Sequence, residues 1–369
     1  MLALTLFGIF FVIALAGVPL LYSILVTTTG IIALQGLGHP LETIFLSFIG
    51  GVEPFILLAV PLFIFAGELL AQGGVGKRIV EFARVLFGWL PGGLGVVTVI
   101  SCTLFGGVSG SAIADTAAIG SLVIPAMVAR GYSRGFAAAL LAVAGTIALL
   151  MPLSIPFLVY AFISGVSMRT LSMAGLLPAL ATAAALIVMC MWHGKKSGVD
   201  NGEDRSTPAQ IRAAAKDAGP ALLMPLIIVG GIWSGKFTPS ESAAVAVFYG
   251  LAVSLFYYKD LSWRHIPQLM LNAFSTSATV MLVIGATGAM AWLITVEQVA
   301  VQMAEWIQLV ATEQWMFLIL FNICLLLLGI FIEPLPAMLL SAPLFLPLAR
   351  HFGMDMVHIG VVMTANLAI

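Results

Sequence analysis

The sequence predicts an all-α integral membrane protein built from two inverted repeats, each carrying a re-entrant hairpin. Three observations predict it. Of 369 residues, 61% are hydrophobic and only 8% are charged, where a soluble domain carries about 25% charged residues. The segment Phe105–Asp115, FGGVSGSAIAD, interrupts this apolar chain with two serines, an aspartate and three glycines. Several features also recur at one fixed offset along the chain. A net charge of −1 offers nucleic acid no basic surface. Cys102, Cys190 and Cys324 sit in apolar runs without metal-ligand spacing, which marks them as packing residues. The amino terminus opens directly into apolar sequence and reads as a first span, not a removed signal peptide.

The elements follow in order, with about 20 residues as a full crossing. Leu2–Ala16 and Pro19–Gly36 flank the break Gly17-Val18-Pro19, and Pro54–Ala71 is a strong span bearing Glu68. In Val75–Gly88, charged Lys77, Arg78, Glu81 and Arg84 alternate at helical spacing with apolar Ile79, Val80, Leu86 and Phe87. That pattern predicts a helix lying in the membrane interface. Pro91–Phe105 and Ala112–Val128 flank the polar break, and each is short for a full crossing, which predicts a re-entrant hairpin. Arg134–Leu150, Ser154–Gly165 and Leu171–His193 complete the first half. Gly194–Gly219 holds Lys195, Lys196, Arg205, Arg212 and Lys216, five of the fifteen basic residues, so the positive-inside rule places this linker in the cytoplasm. Ala221–Trp233 then crosses outward. Thr238-Pro239-Ser240-Glu241 predicts a capped helix start, with Glu241 closing a capping box, and that span ends at Lys259.

The repeat has an offset of 347 − 125 = 222, from Pro125 to Pro347. At that offset Gly131 meets Gly353, Gly107 meets Gly329, Ser111 meets Glu333, and Cys102 meets Cys324. The interfacial helix near Lys77 meets Val299–Val310, where Gln302, Glu305 and Gln308 share a face. The predicted organisation is therefore a first repeat over 1–193 with its hairpin near 91–129, a linker over 194–219, and a second repeat over 220–369 with its hairpin near 315–350. With the linker inside, an inverted repeat puts the amino terminus outside. Broken helices meeting near the midplane of an inverted repeat point to a secondary transporter, where hydroxyls and unwound carbonyls hold a cation and helix N-termini face anionic solute.

Five stretches carry a family resemblance: PLFIFAGE at 61–68, FGGVSGSAIAD at 105–115, GKFTPSESAA at 235–244, Glu333-Pro334 with its following prolines, and Asn366-Leu367-Ala368-Ile369. The chain resembles, end to end, the large membrane subunit of TRAP (tripartite ATP-independent periplasmic) transporters. The resemblance implies an elevator-type, sodium-coupled carrier of a small organic acid such as a C4-dicarboxylate or sugar acid. It implies the bacterial inner membrane, a small four-helix membrane subunit and a soluble periplasmic binding protein, with no cofactor besides Na+ as coupling ion. Two departures stand out. The family's Pro-Pro-Ser turn facing the first hairpin reads Pro152-Leu153-Ser154 here. The family also continues past Ile369 into a Gly-x-x-Thr-Pro-Pro turn and another span. The offset agrees, since Ile369 matches Ile147 and the first half runs on to about Met191, so some 191 − 147 = 44 residues of the second half are expected to be missing, its sodium site incomplete.

On this resemblance sodium is expected at Ser109, Gly110, Ser111, Thr146, Ala148, Met151, Pro152 and Gly329, and substrate at Asp115, Ser154, Glu333 and Asn366. Each has a plainer reading. The serines can bond back to helical carbonyls, Asp115 can brace the hairpin backbone, Glu333 can cap a helix opened by Pro334, and Asn366 can be a satisfied interhelical amide. Two rival functions remain at this stage. One is a stand-alone carrier of the same architecture. The other is an intramembrane serine protease, because Gly107-Val108-Ser109-Gly110 has a Gly-x-Ser-Gly form; that chemistry needs a histidine base beside the serine.

Overall fold

The computed structural model describes residues 2–35, 38–299, 302 and 313–369. Among these the ordered elements are all helical: α1 Leu2–Leu15, α2 Leu20–Gln35, α3 Leu41–Val52, α4 Ala59–Gln72, α5 Val75–Phe87, α6 Gly93–Ser109, α7 Ala112–Ala129 and α8 Arg134–Thr146. They continue with α9 Ile155–Ser164, α10 Met168–Ser197, α11 Pro208–Trp233, α12 Pro239–Ala252, α13 Ile266–Val296, α14 Gln314–Phe331, α15 Pro334–His351 and α16 Met356–Ala368. Seven helical segments among the described residues are long and apolar enough to cross a membrane. The chain is an all-α membrane protein.

The helix ends follow local chemistry. Thr238 accepts from the Glu241 N–H while the Glu241 carboxylate takes the Thr238 N–H, the expected capping box. Thr207 and Gln210 form another at the start of α11. In α5, Val75, Ile79 and Ala83 are buried on one face while Lys77 and Glu81 are exposed; Val80, Leu86 and Phe87, expected on the apolar side, are only half-buried.

Several expectations need correcting. The helix α3 was not anticipated, although Leu41–Val52 is apolar. The polar stretch 194–219 is mostly helical: α10 runs to Ser197 and α11 starts at Pro208, so only 198–207 is irregular. Segment α7 spans 18 residues, enough for a crossing by length and composition alone. Residues 300, 301 and 303–310 of the expected helix Val299–Val310 lie outside the described residues.

The contacts divide the chain into two compact units that interleave along the sequence. The first comprises Met1–Leu57, Val159–Val166 and Ser275–Leu367; the second comprises Leu58–Leu158, Ser167–Phe274 and Ala368–Ile369. Each unit takes residues from either side of 194–219. Element bounds nevertheless recur at the 222-residue spacing. Shifted by 222, α7 (112–129) falls on α15 (334–351) and α8 (134–146) on α16 (356–368).

In the first unit, α3 meets α13 backbone to backbone: a Cβ on Gly288 would lie 3.0 Å from the Gly51 Cα. In the second unit, Arg78 pins α5 to its neighbours. It donates to Asp260 at 2.5 Å and to the Gly74 carbonyl at 2.9 Å, lies 3.5 Å from Asp217, and stacks 3.7 Å over the Tyr258 ring. One Nη bonds Asp260 and the Gly74 carbonyl while the guanidinium face covers the ring, an arrangement a point charge cannot reproduce. Arg78→Ala is expected to cost about 1–2 kcal/mol, and Arg78→Lys should recover less than half of it. Thermal unfolding of the detergent-solubilised protein measures both, and full recovery by lysine would rule out the fork-and-stack role.

Candidate functional site

The break between α6 and α7 is built by three residues. Gly110 adopts φ +59, the left-handed conformation that ends α6, and its N–H returns to the Gly106 carbonyl. Ser111 is the extended N-cap of α7 and accepts the Ala114 N–H at 3.3 Å. Ser109 turns inward: its hydroxyl donates to Asp115 Oδ1 and accepts the Ser111 N–H at 3.2 Å. The serines therefore serve the tip itself and do not bond back to helical carbonyls.

Asp115 is fully buried on the first turn of α7. A helix N-terminus favours its negative charge. Its other oxygen, Oδ2, is buried without a hydrogen-bond partner among the described residues. The absence of a side chain at Gly106 leaves this oxygen its space, since a Cβ there would lie 2.8 Å from Oδ2 and 2.7 Å from the Ala148 Cβ. Leaving a buried carboxylate oxygen unmatched costs free energy, so it needs a use.

The turn after α8 closes over this tip. Ile147–Leu150 forms a 3-10 turn, and the chain then bends through Met151-Pro152-Leu153-Ser154. A Cβ on Gly110 would lie 2.9 Å from the Leu153 carbonyl carbon and 3.0 Å from the Ser154 Cα, and the Gly110 carbonyl accepts the Ile155 N–H at 3.4 Å. The Met151 methyl would stand 3.3 Å from a Cβ on Gly107. Helix α10 backs the turn: Ser172 donates to the Pro152 carbonyl at 2.7 Å. Ser154 caps α9 by accepting the Phe157 N–H at 3.2 Å. The Ala148 and Met151 carbonyls also accept one bond each, from Met151 and Ser154 N–H. Every carbonyl keeps a second lone pair for a cation. Thr146 donates to the Val143 carbonyl at 2.8 Å, which leaves its oxygen only as an acceptor.

The second unit thus brings the α6–α7 tip, through Gly106, Gly107 and Gly110, against Ala148, Met151, Leu153 and Ser154. Asp115 shares one cluster with the serines, although sequence reasoning gave it a separate role.

In the first unit, Gly329 of α14 faces the end of α16, where a Cβ would lie 3.6 Å from the Asn366 carbonyl oxygen. Asn366 donates to Asn322 at 2.6 Å and to the Val362 carbonyl at 2.8 Å. The interhelical amide reading of Asn366 is therefore correct for its NH2. Glu333 occupies the N-cap position before Pro334, but its side chain makes no cap bond and is exposed. Asn322 was missed, although a lone amide in the apolar run of α14 is itself a signal.

An all-helical membrane protein with a broken, acid-bearing hairpin closed by a proline turn belongs among transport proteins. The model of the tripartite ATP-independent periplasmic transporter DctM component matches residues 7–369. The chain belongs to that family. It is similar to the C4-dicarboxylate TRAP transporter large permease protein DctM of Rhodobacter capsulatus, at 35% identity over the whole chain and 86% of the relative. It is similar to the sialic acid TRAP transporter large permease protein SiaM of Vibrio cholerae, at 37% identity over 87% of the chain and 75% of the relative. The isethionate TRAP transporter permease protein DctMQ of Oleidesulfovibrio alaskensis is 36% identical over 99% of the chain, and the chain spans 57% of that relative's length. These relatives are transporter permeases, not enzymes. In keeping with that, the Ser109 hydroxyl meets an aspartate and not the histidine a protease requires.

Gly106→Val would drive a side chain into Ala148 and Asp115. It is expected to destabilise the protein by about 1–3 kcal/mol, read as a lower midpoint of thermal unfolding. An unchanged midpoint would mean that the tip and the turn do not pack as described.

Proposed function

We propose that this chain is the large membrane subunit of a sodium-coupled carrier for a small organic acid in the bacterial inner membrane, its amino terminus periplasmic. The observation that carries the reading is the α6–α7 tip, where buried Asp115, bonded to Ser109 through Oδ1, keeps Oδ2 without a partner among the described residues in the space beside Gly106 and Ala148. Sodium is a hard cation satisfied by oxygens alone, and hydroxyls with second carbonyl lone pairs supply them. Ser109, Gly110, Ser111, Thr146, Ala148, Met151 and Pro152 form the first ion site, and Gly329 belongs to its counterpart. Asp115 lends its free oxygen to the first ion site; Ser154 in the second unit and, separately, Glu333 and Asn366 in the first are the residues proposed to meet solute.

The solute class is supported by the relatives' names, which specify isethionate, a C4-dicarboxylate and sialic acid, each an organic acid or its anion. Selection among such acids rests with a periplasmic binding protein that hands the solute over, and a small four-helix membrane subunit completes the complex. The recurrence of helix bounds at the 222-residue spacing supports an inverted duplication, with α6–α7 and α14–α15 as paired re-entrant hairpins. In the elevator scheme sodium orders the hairpin tips before solute is carried across.

Uptake by the complete complex in proteoliposomes tests this. Uptake should require sodium and the binding protein together. Sodium-independent uptake would overturn the coupling, and uptake without the binding protein would identify a stand-alone carrier. Within that assay Ser111→Ala should raise the sodium concentration for half-maximal uptake by about tenfold, the worth of about 1.4 kcal/mol. An unaltered sodium dependence would remove Ser111 from the site.

A further inference from the structure

Residues 198–207, between α10 and α11, are more than a tether. Asp200 is only 3% exposed and gathers bonds from two directions. Its Oδ2 accepts the Leu94 N–H at 3.0 Å and the Tyr132 hydroxyl at 3.2 Å. Its Oδ1 accepts from Arg130 at 3.3 Å and from the Gly202 N–H at 3.2 Å. Its backbone carbonyl accepts the Gly92 N–H at 2.8 Å. Gly92 and Leu94 stand at the start of α6, while Arg130 and Tyr132 follow the end of α7. One carboxylate therefore joins the two feet of the hairpin whose tip is Ser109–Asp115.

Glu203 doubles the clamp. Its N–H reaches the Gly88 carbonyl at 2.8 Å, and its carboxylate takes Arg84 of α5 at 2.8 Å and also Arg130. Burial and the nearby Asp200 charge push the Tyr132 phenol up, so it stays a donor. A simple connection between helices would not need a buried aspartate. Its desolvation must be matched by several good bonds, and of the four its side chain accepts, three come from the hairpin's base and one from Gly202.

We propose that Asp200 is a positioning residue for the hairpin tip, setting the splay of α6 and α7 and so the spacing of Ser109, Ser111 and Asp115. The lever is long. At 1.5 Å per residue α6 measures about 26 Å, so a tilt of about 3° at its foot displaces the tip by about 1.4 Å. Oxygen cages for cations do not tolerate that change without losing affinity. The bond holding the tip to the turn, Gly110 to Ile155, is long at 3.4 Å and cannot resist alone. The effect on ion binding rests on the reading of the tip as a sodium site, while the effect on hairpin geometry does not.

The test uses the full complex carrying Asp200→Asn, and separately Tyr132→Phe as a milder change. Sodium titrations of uptake are paired with amide hydrogen exchange of residues 92–96 and 107–111. Asp200→Asn should raise the sodium concentration for half-maximal uptake by about tenfold with the maximal rate within about twofold. Tyr132→Phe should shift it by about threefold. Exchange should quicken at foot and tip in each variant. Faster exchange at the foot alone, with sodium dependence unmoved, would overturn the proposal and leave Asp200 a local anchor. Should wild-type uptake prove independent of sodium, the sodium-site reading fails, and tip exchange still decides whether the strap positions the hairpin. If Asp200→Asn does not fold, unchanged tip exchange in Tyr132→Phe would be the overturning result.

Discussion

Hydrocarbon supplies no hydrogen-bond partners, so a membrane protein that interrupts a helix must satisfy the freed backbone from within. Much of the second unit follows from that constraint at the α6–α7 break. Gly110 reverses the chain because it tolerates φ +59. Ser111 replaces the missing helical acceptor for α7, and Ser109 covers the Ser111 N–H and one oxygen of Asp115. The 150–154 turn then closes the break from outside, and α10 holds the turn through Ser172. Each layer satisfies the polar atoms that the preceding one exposes. Only Asp115 Oδ2 is left over at the tip among the described residues, next to the space that Gly106 keeps open.

The features legible in the sequence were those whose signal is local. The Thr238–Glu241 capping box is written in four consecutive residues, whereas of the apolar positions read in α5 only Ile79 is buried, and its buried face runs instead through Val75, Ile79 and Ala83. The polar break announced itself because serine, glycine and aspartate are costly in an apolar run.

The features that were not legible depend on partners distant in the chain. Asp200 looks like an ordinary loop residue until Leu94, 106 positions away, and Tyr132, 68 positions away, meet its carboxylate. Asn366 gains its meaning from Asn322 on another helix. The charges of Lys195, Lys196, Arg212 and Lys216 made 194–219 resemble a loop, yet long basic side chains sit comfortably on helix ends that leave the apolar region. Helix α3 has no side-chain N-cap bond, so its start carries no local capping signal.

The site and the strap share one logic. Oxygen atoms that must meet a small ion need positions fixed to within about half an ångström, and a hairpin held only at its tip would not fix them. Sodium binding itself is therefore the most direct measure of the account. Equilibrium binding of radiolabelled sodium to the purified, detergent-solubilised chain should be saturable in the wild type and much weaker in the Ser109→Ala, Ser111→Ala double variant. Equal binding by the two proteins, or no saturable binding in the wild type, would contradict the assignment of the α6–α7 tip as the ion site.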